Sequence, residues 1–200
     1  SGEGLDLPIA VLINQDSASA SEILAAALAE NGRAKLFGVT TYGKGTVQST
    51  FSKGFSDGSE IKLTIAKWLT PDGHFVHEVG ITPDIEVQQP DYFAARSLPK
   101  DTVLKQNMNH ADVVNLQVML DALGYEVDRK DGYFSAQTTL SVNKFQRDHK
   151  LPVTGEVDAI TAEKLEEQLI ELMQDPLNDV QLQEALQYLK QTLGIASHSP

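Results

Sequence analysis

Residues 15–48, QDSASASEILAAALAENGRAKLFGVTTYGKGTVQ, decide the reading of this 200-residue chain. A Ser/Ala cluster runs from Ser17 through Ala18, Ser19 and Ala20 to Ser21, immediately before a helical pattern. Lys44 lies between two glycines, and Gln48 follows four positions later. Small residues let a backbone approach another chain closely, and flanking glycines let a loop take positive φ and deliver its side chain inward. A serine at a helix start sits beside free N–H groups and the positive end of the helix dipole, both of which favour a nearby oxyanion.

The surroundings give this stretch a parallel α/β setting. Ile9-Ala-Val-Leu-Ile13 is a continuous, branched apolar run, the pattern of a strand buried on both faces. Residues 21–30 read as a helix with apolar positions at 23, 24, 27 and 28, stopped by Asn31-Gly32. Lys35-Leu-Phe-Gly-Val39 is the next strand, so the three elements form a β-α-β unit with parallel strands. Residues 47–51 and 60–69 then alternate as antiparallel strands around a turn-rich segment at 53–59. Trp68, Leu69 and Phe75 are expected in the core.

The stretch resembles the carboxyl-terminal processing peptidases, also called tail-specific proteases. The resemblance rests on Ser17-Ala-Ser-Ala-Ser-Glu22, on Gly43-Lys-Gly45 with Gln48, and on the 25 positions between Ser19 and Lys44. It continues through Leu63-Thr-Ile-Ala-Lys-Trp-Leu-Thr-Pro-Asp-Gly73 and Gly80-Ile-Thr-Pro-Asp84. It implies a serine endopeptidase in which Ser19 is the nucleophile, Lys44 the general base and Gln48 the residue orienting the lysine. The Ala20 N–H is the candidate oxyanion donor, with a second donor on a glycine upstream of this chain. A free lysine, with a pKa of about 10.4, is a poor base at neutral pH, so such a dyad needs an apolar cleft that disfavours the ammonium. The Ala- and Gly-rich surroundings are read as supplying no carboxylate against that change. The resemblance also implies protein or peptide substrates with accessible C-terminal tails; no cofactor is expected, since the sequence carries no metal- or phosphate-binding motif. The missing strand, glycine turn and recognition domain make the chain read as the C-terminal part of a longer protein.

Other readings of the same residues carry other chemistry. Ser19-Ala-Ser-Glu22 is a capping-box pattern, the commoner use of a serine before a helix. A lysine between glycines is often a solvated loop tip, and Gln48 reads equally as a surface strand residue. His77 with Asp72 or Asp84 would supply a histidine triad, since triads are defined by geometry and not by order. There is no Gly-x-Ser-x-Gly elbow, phosphate loop or His-Glu-x-x-His helix. A different class of function is an inert wall-binding or scaffold protein.

Beyond residue 97 the pattern changes. Residues 91–101 lose periodicity and read as a linker, and three helical patterns follow at 112–123, 135–149 and 161–173. Their apolar positions are 113, 116, 119, 120 and 123 in the first, and Leu140, Val142 and Phe145 in the second. Leu116-Gln117, Asp131-Gly-Tyr-Phe134, Phe145-Gln146, and Val153-Thr-Gly155 with Asp158 resemble the small three-helix peptidoglycan-binding domain. The resemblance implies peptidoglycan as a partner. After Asp175-Pro176, residues 179–193 form an amphipathic helix with apolar residues 182, 186, 189 and 193. That face is expected against the peptidase core or against a second subunit, making a homodimer.

The expected fold is thus an α/β peptidase-core fragment, with β-α-β and antiparallel strands, plus a small all-α three-helix domain. The expected division is 1–97, 98–174 and 175–200, the last returning to the peptidase or to an oligomer interface. The net charge is −12, with 7 basic and 12 acidic residues in 1–97 and 9 and 16 beyond, so neither part offers a basic stripe for nucleic acid. The chain has no cysteine, which removes disulfides and thiolate chemistry. No apolar run reaches the roughly 20 residues a membrane-crossing helix needs. The expected location is extracytoplasmic, in a bacterial cell envelope, with any membrane anchor upstream.

Overall fold

The computed structural model describes residues 7–52 and 57–195. The turn expected at 53–59 lies partly outside them. The chain folds as two compact units: one holds the chain up to Gln88 and takes it up again from Val180, and the other is Gln89–Asp179.

In the first unit, β1 (Ile9–Ile13) and β2 (Ala34–Gly38) pair in parallel from Ile9↔Ala34 to Ile13↔Gly38. A short β5 (Ile85–Glu86) adds in parallel on the far side of β2, giving the order β1-β2-β5. Parallel neighbours require a crossover, and α1 (Ala20–Glu30) supplies it. The expected helix forms, but it buries a different face. Glu22, Ala25 and Ala26 are buried, whereas Leu24 is 59% exposed and Ile23 is also exposed. Positions 22, 25, 26 and 29 are themselves spaced as one helix face, and alanines bring the helix close onto Ile13 and Leu36. β1 is not buried on both faces, because Leu12 is exposed on a strand that, among the described residues, pairs only with β2.

The terminal helix α5 (Val180–Thr192) packs on β1 and β2. Its docked face is Gln181, Ala185 and Tyr188, not the expected stripe. Gln181 Nε2 donates to the Val87 carbonyl at 3.0 Å, and the Tyr188 ring lies 5.5 Å from that of Phe37. Leu186 and Leu193 remain exposed. Gly38 makes this closeness feasible. Its φ is +131°, and a Cβ there would stand 1.8 Å from the Ile13 carbonyl oxygen and 3.3 Å from Gln181 Nε2.

β3 (Thr46–Phe51) and β4 (Ile61–Lys67) form the expected antiparallel hairpin. Its apolar residues Val47, Phe51, Ile61, Leu63 and Ile65 are all exposed. Leu69 and Phe75, expected in the core, are also exposed and pair with each other as an isolated bridge around the Pro71-Asp72 turn. Trp68 is only partly buried.

The second unit is the three-helix domain, with α2 (Ala111–Ala122), α3 (Ala136–Asp148) and α4 (Ala159–Gln174). Val113, Leu116, Met119, Leu120, Val142, Phe145 and Leu165 form its core, while Leu140 of the expected α3 face is exposed. One device appears twice. Gln117 donates to the Tyr133 carbonyl and Thr138 Oγ1 and accepts from the Gly132 N–H. The two hydrogens of the Gln146 amide are shared among Thr154 Oγ1, the Glu156 carbonyl and Thr161 Oγ1, and its oxygen accepts from the Thr154 and Gly155 N–H groups. Each buried amide holds a glycine turn against the cap of the next helix, Ser135 before α3 and Asp158 before α4. The supposed linker is packed, since Leu98 is buried in this core and its N–H donates to Glu166 Oε1 at 2.6 Å. The ends of the unit meet where Gln89 Nε2 donates to Asp179 Oδ1 at 2.6 Å.

Candidate active site

The turn between β1 and α1 is built on Asn14 and Ser17. Asn14 Oδ1 accepts the Asp16 and Ser17 N–H groups, and Ser17 Oγ accepts the Asn14 N–H at 3.1 Å and donates back to Oδ1 at 3.3 Å. Ser17 is therefore a structural turn residue. Two positions on, Ser19 takes φ 55° and ψ −112°, a conformation that crowds any residue with a Cβ. Ser19 is partly buried, while Ser21 is exposed on the helix. Ala20, the first residue of α1, has no hydrogen-bond partner for its N–H among the described residues.

Glu22 ties this turn to the loop of Lys44. The carboxylate is fully buried, at 0% exposure, and accepts four hydrogen bonds. Oε1 takes Thr41 Oγ1–H at 2.6 Å and Gly43 N–H at 2.6 Å, and Oε2 takes Ser19 N–H at 2.7 Å and Lys44 N–H at 2.9 Å. Burial by itself would raise its pKa, but the bonds from Thr41, Gly43, Lys44 and Ser19 outweigh it and hold the carboxyl below the ordinary glutamate value. The capping-box glutamate thus spans two loops, and a single oxygen holds the backbones of Ser19 and Lys44 side by side.

The Lys44 loop is fixed on its other sides as well. Trp68 donates its indole N–H to the Lys44 carbonyl at 3.1 Å and its backbone N–H to the Gly45 carbonyl at 3.1 Å. The Tyr42 N–H donates to the Ser17 carbonyl and the Glu78 N–H to the Gly43 carbonyl. Asp16, Ala18, Tyr42, Gly43, Lys44, His77 and Glu78 line one cleft.

The Lys44 side chain is exposed, and Asp16 and Glu78 share its cleft, so the expectation of carboxylate-free surroundings is corrected. The carboxylates come from short acidic positions in neighbouring loops, one of them brought in from 34 residues downstream of Lys44. Gln48 is exposed on β3 and makes no hydrogen bond to Lys44 among the described residues. It sits at a shift in register, where Val47 faces Ala66 but Gln48 faces Thr64, leaving Ile65 without a partner. Such a bulge re-aims side chains next to it. The histidine triad finds no geometry. His77 Nδ1 has no partner among the described residues, and Asp84 is occupied by Lys35 Nζ at 2.9 Å and the Leu36 N–H at 2.8 Å. Among the described residues no three His, Asp or Glu side chains converge as a metal site.

Sequence reasoning reached Glu22 only as a cap and Trp68 only as core. The partners of both lie some twenty positions away, and no local pattern announces them.

Residues 2–87 match the S41 peptidase family, and residues 109–165 match a peptidoglycan-binding domain family. The chain therefore combines an S41 peptidase segment with a peptidoglycan-binding domain and is homologous to the carboxy-terminal processing proteases. It is 48% identical over 182 residues to the carboxy-terminal processing protease CtpB of Bacillus subtilis (strain 168), covering 91% of this chain and 38% of that one. It is 40% identical over 166 residues to the protein named probable CtpA-like serine protease in Staphylococcus epidermidis (strain ATCC 12228 / FDA PCI 1200), covering 83% of this chain and 33% of that one. Among solved structures, the photosystem II D1 C-terminal processing protease is 40% identical over 40% of this chain and 20% of its own, with a TM-score of 0.38. The chain thus spans between a third and two fifths of the length of these curated relatives.

Proposed function

We propose that this chain carries the Ser-Lys dyad and wall-binding domain of a processing endopeptidase, with Ser19 as nucleophile, Lys44 as base and Gln48 orienting the lysine. The observation that carries this reading is the shared Glu22 oxygen, which holds the Ser19 and Lys44 backbones together while Ser19 is strained and Ser17 is occupied. In the mechanism, the Lys44 amine takes the Ser19 Oγ proton as Oγ attacks a peptide carbonyl. The Ala20 N–H faces the developing oxyanion at the helix start. The proton passes to the leaving amine, and water then releases the acyl group from Ser19. Gln48, exposed on β3 at the shift in register, is assigned to orient the amine by a neutral hydrogen bond.

The substrates are protein chains with accessible C-terminal tails, and residues 98–174 hold the enzyme on peptidoglycan in the cell envelope. The exposed apolar Leu186 of α5 and Leu193 just after it belong to the surface for a second subunit. This chain by itself should turn over peptides poorly, because losing one oxyanion donor alone typically lowers the rate about 10²–10³-fold.

The test is to label the full-length protein with a serine-reactive phosphonate and map the modified residue. Modification at Ser19, lost in Ser19→Ala and in Lys44→Arg, is the expected result, since a guanidinium does not give up its proton near neutral pH. Labelling at Ser17 or Ser21, or activity retained in Lys44→Arg, would remove the dyad. An unlabelled, inactive full-length protein would leave the wall-binding scaffold as its role.

A further inference from the structure

The third wall of the cleft, the segment from Val76 to Gly80, is built with as much care as the other two. Its contact with the Lys44 loop is backbone on backbone. A Cβ on Gly45 would stand 2.5 Å from the His77 nitrogen, and one on Gly43 would stand 3.0–3.1 Å from the nitrogens of Gly80, Glu78 and Val79. The Glu78 N–H donates to the Gly43 carbonyl at 2.8 Å, and Glu78 itself takes φ +63°. Of the four non-glycine residues with positive φ among those described, Ser19 and Glu78 belong to this one site. Strain of that kind persists only where the surroundings hold it.

The product of this construction is the placement of His77 in the cleft lining beside Lys44, Tyr42 and Ala18. Its ring is steadied edge-on by Phe75, with centroids 6.2 Å apart and planes at 82°. Nδ1 is buried and has no partner among the described residues. Among the described residues no carboxylate bonds the ring, so it lacks the arrangement of a triad base. A buried N–H with no acceptor is the rarer and less tolerable arrangement, so Nδ1 carries the bare lone pair and the hydrogen resides on Nε2. The ring of this lining residue therefore carries one N–H, on Nε2, that none of the described residues uses.

We propose that His77 is a substrate-binding residue, whose Nε2–H donates to a main-chain carbonyl of the peptide lying beside Lys44. A main-chain carbonyl is the acceptor every protein tail carries; Asp16 and Glu78 in the same lining are acceptors themselves, and of the donors there Lys44 is assigned to the nucleophile, which leaves His77 and the Tyr42 hydroxyl. The proposal rests on the reading of Ser19 and Lys44 as the dyad.

The experiment uses full-length protein carrying His77→Phe, which keeps a ring but no donor, and His77→Gln, which keeps a donor. Two readouts are taken: the rate at which a small serine-reactive phosphonate modifies Ser19, and kcat and KM on an unstructured peptide. One neutral hydrogen bond corresponds to roughly a 3–10-fold effect. His77→Phe should raise KM by about that factor with kcat little changed, as expected for binding lost equally from ground and transition states. His77→Gln should recover most of the loss, and phosphonate labelling should proceed at the wild-type rate in both. An unchanged KM in His77→Phe overturns the proposal, as does a Gln variant as impaired as the Phe variant. Slowed phosphonate labelling in both variants also overturns it, because the role is then to shape the nucleophile's loop. Failure of the wild-type protein to label at Ser19 overturns the dyad and this proposal with it, and is told apart from the other outcomes by the wild-type control.

Discussion

Ser19 and Glu22 carry opposite kinds of free energy at the same helix start. Ser19 stores strain, of order 1–3 kcal/mol for a residue with a Cβ in such a region. A glycine would relieve it, so Ser19→Gly should unfold at higher urea than Ser19→Ala, by about 1 kcal/mol after allowing for the greater chain entropy of glycine. Both should be inactive in the full-length protein. Equal stabilities would show that the conformation costs nothing. Glu22 instead holds charge where four donors meet it. An amide at 22 could accept on one atom only and would present N–H groups to the other donors. Glu22→Gln should therefore lose about 2–4 kcal/mol and most activity. The pH dependence has a defined sign, because the folded pKa lies below the unfolded one. Glu22's contribution is complete above the ordinary glutamate value of about 4.3, and it is lost as pH falls through the lower folded value. Urea midpoints measured from neutral to acid pH should fall less steeply for Glu22→Gln than for the parent protein.

Among elements, the β3–β4 hairpin touches the site at its base through Trp68, on which the Lys44 carbonyl depends. Trp68→Phe keeps an aromatic ring and loses the donor. Stability should fall by about 1 kcal/mol, with the larger effect on turnover, because the lysine loop loses an anchor. A turnover unaffected by the change would separate the hairpin from the site. In the three-helix domain, the two glutamines turn the loops before α3 and α4 into ordered caps. The Gln117 amide faces three partner groups and the Gln146 amide five, three of which share its two hydrogens, so Gln146→Leu should destabilise the domain more than Gln117→Leu. Each should cost at least about 2 kcal/mol for buried groups left unpaired, measured by denaturant unfolding of the chain. The reverse order would assign the stability of these turns to something other than the amides.

Over the whole molecule, the second unit is an insertion whose two ends meet, at Gln89 and Asp179. On the peptidase side of the same junction, Gln181 donates to the Val87 carbonyl. Replacing 89–179 by a short glycine linker should therefore leave the peptidase unit folded. In the full-length protein this deletion should preserve phosphonate labelling of Ser19 and abolish co-sedimentation with purified peptidoglycan. Loss of labelling would show that the inserted domain supports the peptidase fold, and retained sedimentation would move wall binding elsewhere in the protein.

The sequence by itself determined the order and type of the elements, because periodicity, glycines and helix caps act within a few residues. The helices at 111–122, 136–148 and 159–174 and the β-α-β run were legible for that reason. So were the motifs of Ser19 and Lys44, which carry the resemblance to processing peptidases. Which helix face meets the sheet was not legible. On α1 the alanines at 25 and 26 won over Ile23 and Leu24, because close approach to Ile13 and Leu36 favours small side chains over the more hydrophobic ones. On α5 the docked face is set by Gln181, Ala185 and Tyr188, which fit around Gly38 and Phe37. Only the tertiary structure made Glu22 a clamp, Trp68 an anchor and His77 part of a cleft wall. Each of those roles depends on a backbone group supplied from a distant part of the chain, and no periodicity records where such groups come to rest.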